Sequence, residues 1–511
     1  MTEATSRPTT ESSFETFFKK ATSNKPYGYQ KRLADGFHAT GCHPQVIDVP
    51  TGLGKTAAAI TAWLWNRIQY PDASHRDSWP RRLVYCLPMR TLVEQTLQET
   101  TKWIENGFPD TAQRPKVHLL MGGEDDGDWD IHPERNAIII GTQDILLSRA
   151  LNRGYGMSRF RWPMHFGLLN NDCLWIFDEV QLMGNGLATG IQLDGFRSKL
   201  WPTAKPCVTW WMSATTSQDA FATTDRAELN APSPPSFTLT KEERQSDEIE
   251  PRLNAEKKIE VLPKFPKAAD IMQWHQQGRL TLLVANTVRS AKRWYDELQP
   301  HPGKPQKKVK AEATPELLLI HSRYRRGDRD AQMQRLYAFI KLLGATGAAD
   351  NHPGMIVIAT QVIEAGIDIS SATLCSEIAP WASVIQRLGR LNRDGKQPHA
   401  IAKFWKPTKD DENGAEAPNA GRIGPYETAD INQAHNLLSE IVKIQNQGTA
   451  YRQALDHVLA QEASAEALKL EPTAVIRADD VFGLFSTEPD LAGGFTDISP
   501  FVRNIDLNCD V

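Results

Sequence analysis

Short, fully apolar runs alternate with longer amphipathic stretches from residue 46 to residue 215. The runs are VIDV at 46–49, LVYCLP at 83–88, AIII at 137–140, CLWIF at 173–177 and CVTWWM at 207–212. A strand apolar on both faces needs cover on both, and helical patterns between consecutive strands supply it. The pattern predicts a parallel sheet with helices on either side. A second block repeats it, with LTLLVA at 280–285, ELLLI at 316–320, MIVIA at 355–359, TLCSEI at 373–378 and AIAKFW at 400–405. The predicted fold class is therefore α/β, with two parallel-sheet lobes in tandem.

Between and around the blocks the rhythm fails. Residues 217–265 hold APSPPS at 231–236 and KEERQSDEIE at 241–250, which suits a linker or exposed insertion. HPGKPQKKVKAEATP at 301–315 reads as a solvated loop, though its lysines could touch a phosphate backbone. The expected boundaries are a flexible tail to residue 25, a first lobe at 26–216, a second at 266–405, a flexible join at 406–428 and an accessory region at 429–511. In that last region 430–470 reads as one or two helices, so it is smaller and mostly helical. The final residues NIDLNCDV alternate as a strand would, which fits either a truncated chain or a strand paired elsewhere.

Composition narrows the class without choosing a function. With 511 residues, 40% hydrophobic and 23% charged, the chain has the balance of a globular protein with real cores. A net charge of −4 neither demands nor forbids a nucleic-acid partner, because a local groove does not register in the total. The six cysteines show no zinc or redox spacing, and Cys86, Cys173, Cys207 and Cys375 fall in apolar runs, as reduced core thiols do. The first 25 residues lack the apolar core of a signal peptide, and the longest apolar stretch, Thr56 to Trp65, is too short to cross a bilayer. The expectation is a cytoplasmic protein with no membrane partner.

Chemistry enters at Val49-Pro-Thr-Gly-Leu-Gly-Lys-Thr56, between a short strand and a helical run. Glycines let backbone amides approach phosphates, and a helix N-terminus adds its positive dipole end. Gly52 and Gly54 would cradle the phosphates, Lys55 would reach the β and γ phosphates, and Thr56 would hold Mg²⁺. The strict pattern asks for glycine at position 49, where this chain has Val49. Asp178 and Glu179 follow the run CLWIF. There an acidic pair can serve as metal ligand and general base respectively. In the second block Gly366 and Asp368, expected to bind the nucleotide as well, follow MIVIA, and Gln386, Arg390 and Arg393 come soon after. Arginines three apart share a helix face, so Arg390 and Arg393 can converge on a γ-phosphate across a cleft, with Gln386 in the same catalytic set.

This ordered set resembles superfamily 2 helicases, whose two lobes are RecA-like. In detail it resembles the helicase part of the signature helicase-nuclease of type I CRISPR systems. The residues carrying the likeness are 50–56, Asp178–Gln181, SerAlaThrThr at 213–216, LeuIleHisSerArgTyr at 319–324 with Asp328 and Arg329, 359–369 and 386–393. The stretch 481–493 is similar to the G subtype of these proteins. The resemblance implies that Gln30 reads adenine. It places Pro88, Arg90, Thr91, Gly122, Gly123 and Thr142 on a nucleic-acid strand in the first lobe. Asn286, Thr287, Ser322, Arg323 and Thr360 take that role in the second. It also implies ATP with Mg²⁺, 3′-to-5′ movement on single-stranded DNA, and recruitment by an RNA-guided CRISPR surveillance complex. The family's nuclease centre is built on a His-Asp dipeptide, which this chain lacks. Nuclease activity is therefore expected elsewhere, on another chain or beyond Val511. Two other readings stand beside this one: a different superfamily 2 motor acting on RNA or in DNA repair, and a non-catalytic scaffold.

Overall fold

The computed structural model describes residues 13–36, 41–123, 128–201, 203–213, 221, 223–228, 231, 233–299, 314–344, 348–349, 352–364, 366–407, 422–469, 472–486 and 495–503. It divides into two compact units, Met1–Ser246 with Leu470–Leu507, and Asp247–Lys469 with Asn508–Val511. Outside the described residues lie Ala214 to Thr216, Ala365, most of the lysine-rich loop, the middle of the 406–428 join, the second half of 481–493 and the terminal NIDLNCDV.

The first unit is built on a seven-stranded sheet of order β3-β4-β2-β5-β6-β1-β7. Its strands are β1 Gln45–Asp48, β2 Arg82–Leu87, β3 Lys116–Leu120, β4 Ala137–Thr142, β5 Cys173–Asp178, β6 Cys207–Ser213 and β7 Ser236–Thr238. Every pairing is parallel. The second unit holds a six-stranded sheet of order β10-β11-β9-β12-β13-β8. Its strands are β8 Lys258–Val261, β9 Leu280–Val284, β10 Glu316–Ile320, β11 Met355–Ala359, β12 Thr373–Glu377 and β13 Ile401–Trp405, again all parallel. The central strands are buried on both faces, as their apolar runs require. These are the two RecA-like lobes expected from the sequence.

Within these two sheets, three strands carried no apolar run: β3, β7 and β8. All three lie at sheet edges. An edge strand keeps residues in water, and β7 has no buried position at all. The stretch 217–265 thus donates an edge strand to each sheet, where the sequence pointed to a linker. At the other end of the chain Phe14–Thr22 is a helix, not a free tail. Its Phe14, Phe17, Phe18 and Ala21 sit at positions i, i+3, i+4 and i+7 and are buried, with Phe17 against Trp65 and Phe108. The accessory region also divides. Helices Thr428–Asn446, Tyr451–Leu459 and Glu462–Leu468 belong to the second unit. Ile476, Val481, Leu484, Ile498 and Val502 enter the core of the first. Among the described residues no helix is long and apolar enough to cross a membrane. Cys86, Cys173 and Cys375 are buried free thiols, and Cys207 is free and partly buried.

Candidate nucleotide and nucleic-acid sites

The phosphate loop leaves β1 and enters the helix Lys55–Trp63. Gly52 and Gly54 have φ of +88° and +75°, a left-handed backbone that side chains disfavour, so the loop needs glycine at both. Lys55 is nearly buried, and its Nζ donates to the Val49 carbonyl at 2.7 Å. Behind the loop, Tyr29 Oη donates to the Leu53 carbonyl at 2.6 Å, and Gln30 Nε2 to the Gly54 carbonyl at 3.0 Å. Gln30 Oε1 accepts from the Tyr27 amide at 2.9 Å. The residue assigned to adenine thus braces the phosphate loop here, with both ends of its amide engaged.

The acidic pair closes on the loop. Thr56 Oγ1 lies 3.2 Å from Asp178 Oδ2, which also accepts from Tyr85 Oη at 2.7 Å. The Glu179 amide donates to Asp178 Oδ1 at 2.9 Å. Burial, reinforced by the Glu179 carboxylate and opposed by Lys55, pushes the Asp178 carboxyl up to about 6. A buried carboxylate beside a hydroxyl is an oxygen pair that fits a hard divalent cation, whose charge would offset that penalty. Glu179 has φ of +55°, a left-handed conformation rare outside glycine, directly after the last residue of β5. Gln181 Nε2 donates to Glu179 Oε2, and Gln181 Oε1 lies 3.1 Å from Ser213 Oγ. Phosphate loop, acidic pair and the end of β6 are therefore joined by one run of hydrogen bonds, which passes through the Glu179 backbone amide. Tyr85 was not singled out in the sequence; a lone hydroxyl within the buried run LVYCLP was the available signal.

The residues assigned to a nucleic-acid strand group by strand order. Pro88, Arg90 and Thr91 follow β2, Gly122 and Gly123 follow β3, and Thr142 ends β4. These are three neighbouring strands on one side of the sheet. The phosphate-loop residues follow β1 and the acidic pair stands at the end of β5, on the other side of β2. Gly122 and Gly123 have open space where a side chain would be, and Gly123 has φ of +84°. Arg90 is exposed, whereas Thr142 is buried at the start of the next helix. In the second lobe the assigned strand residues also follow neighbouring strands, although Gly366 and Asp368, assigned to the nucleotide, follow one of the same strands. Asn286 and Thr287 follow β9, Ser322 and Arg323 follow β10, and Thr360 follows β11, again three neighbours. Ser322 and Arg323 are exposed, while Thr360 is buried. Thr287 caps the helix Val288–Leu298 through the Ser290 amide at 3.0 Å. Asn286 is buried with its side chain committed inside the lobe. Its Nδ2 donates to the Ile378 carbonyl at 2.8 Å, and its Oδ1 accepts from Arg387 at 3.0 Å. Any part it plays in strand binding passes through what it positions.

Gln386 lies on the helix Trp381–Leu388, but Arg390 and Arg393 lie past its end with Asn392 at φ +44° between them, so the shared helix face expected of the two arginines is not formed. Arg390 is buried, with Nη2 donating to the Glu364 carbonyl at 2.6 Å. Arg393 pairs with Asp368 at 2.9 Å, so one expected phosphate-binding arginine meets the acid assigned to the same ligand. Gln386 is buried in this helix, and Gly366 has φ of +83°. The hub of the cluster is Arg387. It is fully buried and donates to the Glu364 carboxylate at 2.8 Å, Ser376 Oγ at 2.9 Å, the Glu377 carbonyl at 2.7 Å and Asn286 at 3.0 Å. The sequence placed Arg387 in the motif without a role, because partners as far as a hundred positions away in the chain define it. Among the described residues no group of three or more His, Cys, Asp or Glu could hold a metal.

Comparison with known proteins agrees with this arrangement. The DEAD/DEAH box helicase model matches residues 29–223, the first lobe with its phosphate loop and acidic pair. Two parallel-sheet lobes with these sites define a superfamily 2 helicase, an ATP-using class. The second lobe matches the model of CRISPR-associated nuclease/helicase Cas3, C-terminal, over residues 277–396. That second lobe is thus similar to the helicase part of Cas3 proteins. The CRISPR-associated helicase Cas3 of Thermoproteus tenax is 33% identical over 124 residues, 24% of this chain and 18% of that protein. The crystal structure of T. fusca Cas3-ATP shares the fold, with a TM-score of 0.57 at 16% identity over 88% of this chain and 54% of that one. The Mycobacterium smegmatis helicase Lhr bound to ssDNA and AMP-PNP gives a TM-score of 0.50 at 16% identity, over 88% and 56% of the two chains. The chain spans little more than half the length of these solved relatives.

Proposed function

We propose that the chain is an ATP-driven motor on single-stranded DNA, acting in type I CRISPR interference and carrying no nuclease centre of its own. The observation that carries this reading is the contact run from Thr56 through Asp178, Glu179 and Gln181 to Ser213. It ties the phosphate loop to the strand ends of the same sheet. Lys55 leaves the Val49 carbonyl to meet the β and γ phosphates. Glu179 takes the proton of the attacking water, its carboxylate oriented by Gln181. Thr56 and Asp178 would hold Mg²⁺, which supplies charge neutralisation at the phosphates when bound. Arg390 and Arg393 serve turnover as cationic forks for phosphate oxygens. The open backbone at Gly122 and Gly123 and the exposed Arg90 and Arg323 suit a phosphate backbone, which is gripped without reading bases. The CRISPR role rests on the Cas3 likeness of the second lobe, with an RNA-guided complex as loading partner and a nuclease on another chain or beyond Val511. The decisive variant is Glu179→Gln. It should bind ATP as the parent does and lose turnover by at least about 10²-fold, the scale of a general base. Normal hydrolysis in that variant refutes the assignment.

A further inference from the structure

The turn that follows the arginine helix is fastened by a segment with no assigned part in hydrolysis. Lys257 precedes β8 and is 9% exposed. Its Nζ donates to the Leu388 carbonyl at 2.8 Å, at the C-terminal end of the helix Trp381–Leu388. A helix end exposes unpaired carbonyls and the negative pole of its dipole, and an ammonium satisfies both. The Lys257 ammonium also lies over the Tyr451 ring at 5.1 Å. One residue earlier, the Glu256 carbonyl accepts from Asn392 Nδ2 at 2.9 Å. Asn392 has φ of +44° and lies between the two arginines assigned to phosphate. At Gly395, φ +74°, an added Cβ would come within 2.4 Å of the Pro251 carbonyl, so this turn and the 251–257 segment are in close contact. On its other side the turn meets Ser371, whose amide donates to the Arg390 carbonyl at 2.8 Å.

We propose that Lys257 is a positioning residue for hydrolysis, holding the Leu388 end of the arginine helix so that Arg390 and Arg393 keep a fixed approach. This rests on the reading that those arginines serve turnover. Lys257 acts through them and touches no phosphate. Its environment adds a second readout. Burial, with Arg393 on the turn and Arg452 on the neighbouring helix, lowers the Lys257 ammonium to about 7. Tyr451 faces it with a phenol whose burial raises its pKa, so the ring stays neutral. Below about pH 7 the clamp is a charged hydrogen bond; above it, a weaker neutral one.

The test compares Lys257→Met, Lys257→Arg and Arg390→Ala with the parent, reading kcat and KM for ATP from pH 6 to 9 with saturating single-stranded DNA. Lys257→Met should lower kcat about tenfold at pH 6.5 with KM within about twofold, the sign of a transition-state effect. Lys257→Arg, charged throughout, should restore most of that rate. The parent should lose rate above about pH 7, and Lys257→Arg should not. If Lys257→Met does not fold, the paired pH profiles of the parent and Lys257→Arg decide. Identical profiles overturn the proposal, as does a Lys257→Met kcat within twofold of the parent while Arg390→Ala is inactive. An active Arg390→Ala contradicts the arginine reading itself.

Discussion

The two lobes solve the same placement problem with different degrees of commitment. In the first, the groups proposed to meet the nucleotide are lightly held, apart from the buried Asp178. Thr56, Glu179 and Gln181 are only partly buried, and Lys55 rests on one carbonyl of its own loop. In the second, Arg387 is fully buried among four acceptors, and Arg390 is tied to the backbone of Glu364. Reactive groups gain from freedom to adjust to substrate, whereas a buried guanidinium is tolerable only where every direction is answered. The first lobe therefore stores its function in a loop, and the second stores it in a core. Changes in the first should strike turnover before stability, and changes at the hub of the second should do the reverse.

Lys55→Ala should make the sharpest break. Stimulated hydrolysis should fall at least about 10³-fold, because the lysine serves charge on the transferred phosphoryl group. Thermal unfolding should stay near the parent's; a rate within twofold of the parent would refute the phosphate-loop assignment. Arg387→Met comes next and reverses the pattern. Removing one partner of a buried pair leaves Glu364 uncompensated, at a cost of about 3–5 kcal/mol. Urea unfolding should show that loss, and an unchanged midpoint would mean that the hub is not structural. Tyr85→Phe should be the mildest, removing one hydrogen bond to Asp178 worth about 0.5–1.5 kcal/mol or somewhat more for a charged acceptor. Its turnover should fall less than tenfold, and a collapse to the Lys55→Ala level would give Tyr85 a direct chemical role.

What could be read from the sequence followed from how local each signal was. The central strands announced themselves because burial on both faces forces consecutive apolar residues. β3, β7 and β8 did not, since these edge strands share residues with water, whereas the edge strand β10 buries its last three residues and kept its apolar run. The helix Phe14–Thr22 was hidden by the polar residues before it, although its apolar spacing was present in the chain. Gly52, Gly54, Lys55 and Thr56 were legible because a phosphate loop is one continuous turn. Arg387 was not, because its partners come from Asn286, Glu364, Ser376 and Glu377, which only the fold brings together. Gln30 shows the same limit: its motif pointed to adenine, while its amide is engaged by Tyr27 and Gly54.

The central claim is that this chain hydrolyses ATP in response to single-stranded DNA. The direct measurement is Mg²⁺-dependent ATP hydrolysis by the purified chain, without nucleic acid, with single-stranded DNA and with single-stranded RNA. The expected result is low basal turnover and strong stimulation by DNA alone. Stimulation by RNA alone, or no hydrolysis under any of the three conditions, would contradict it.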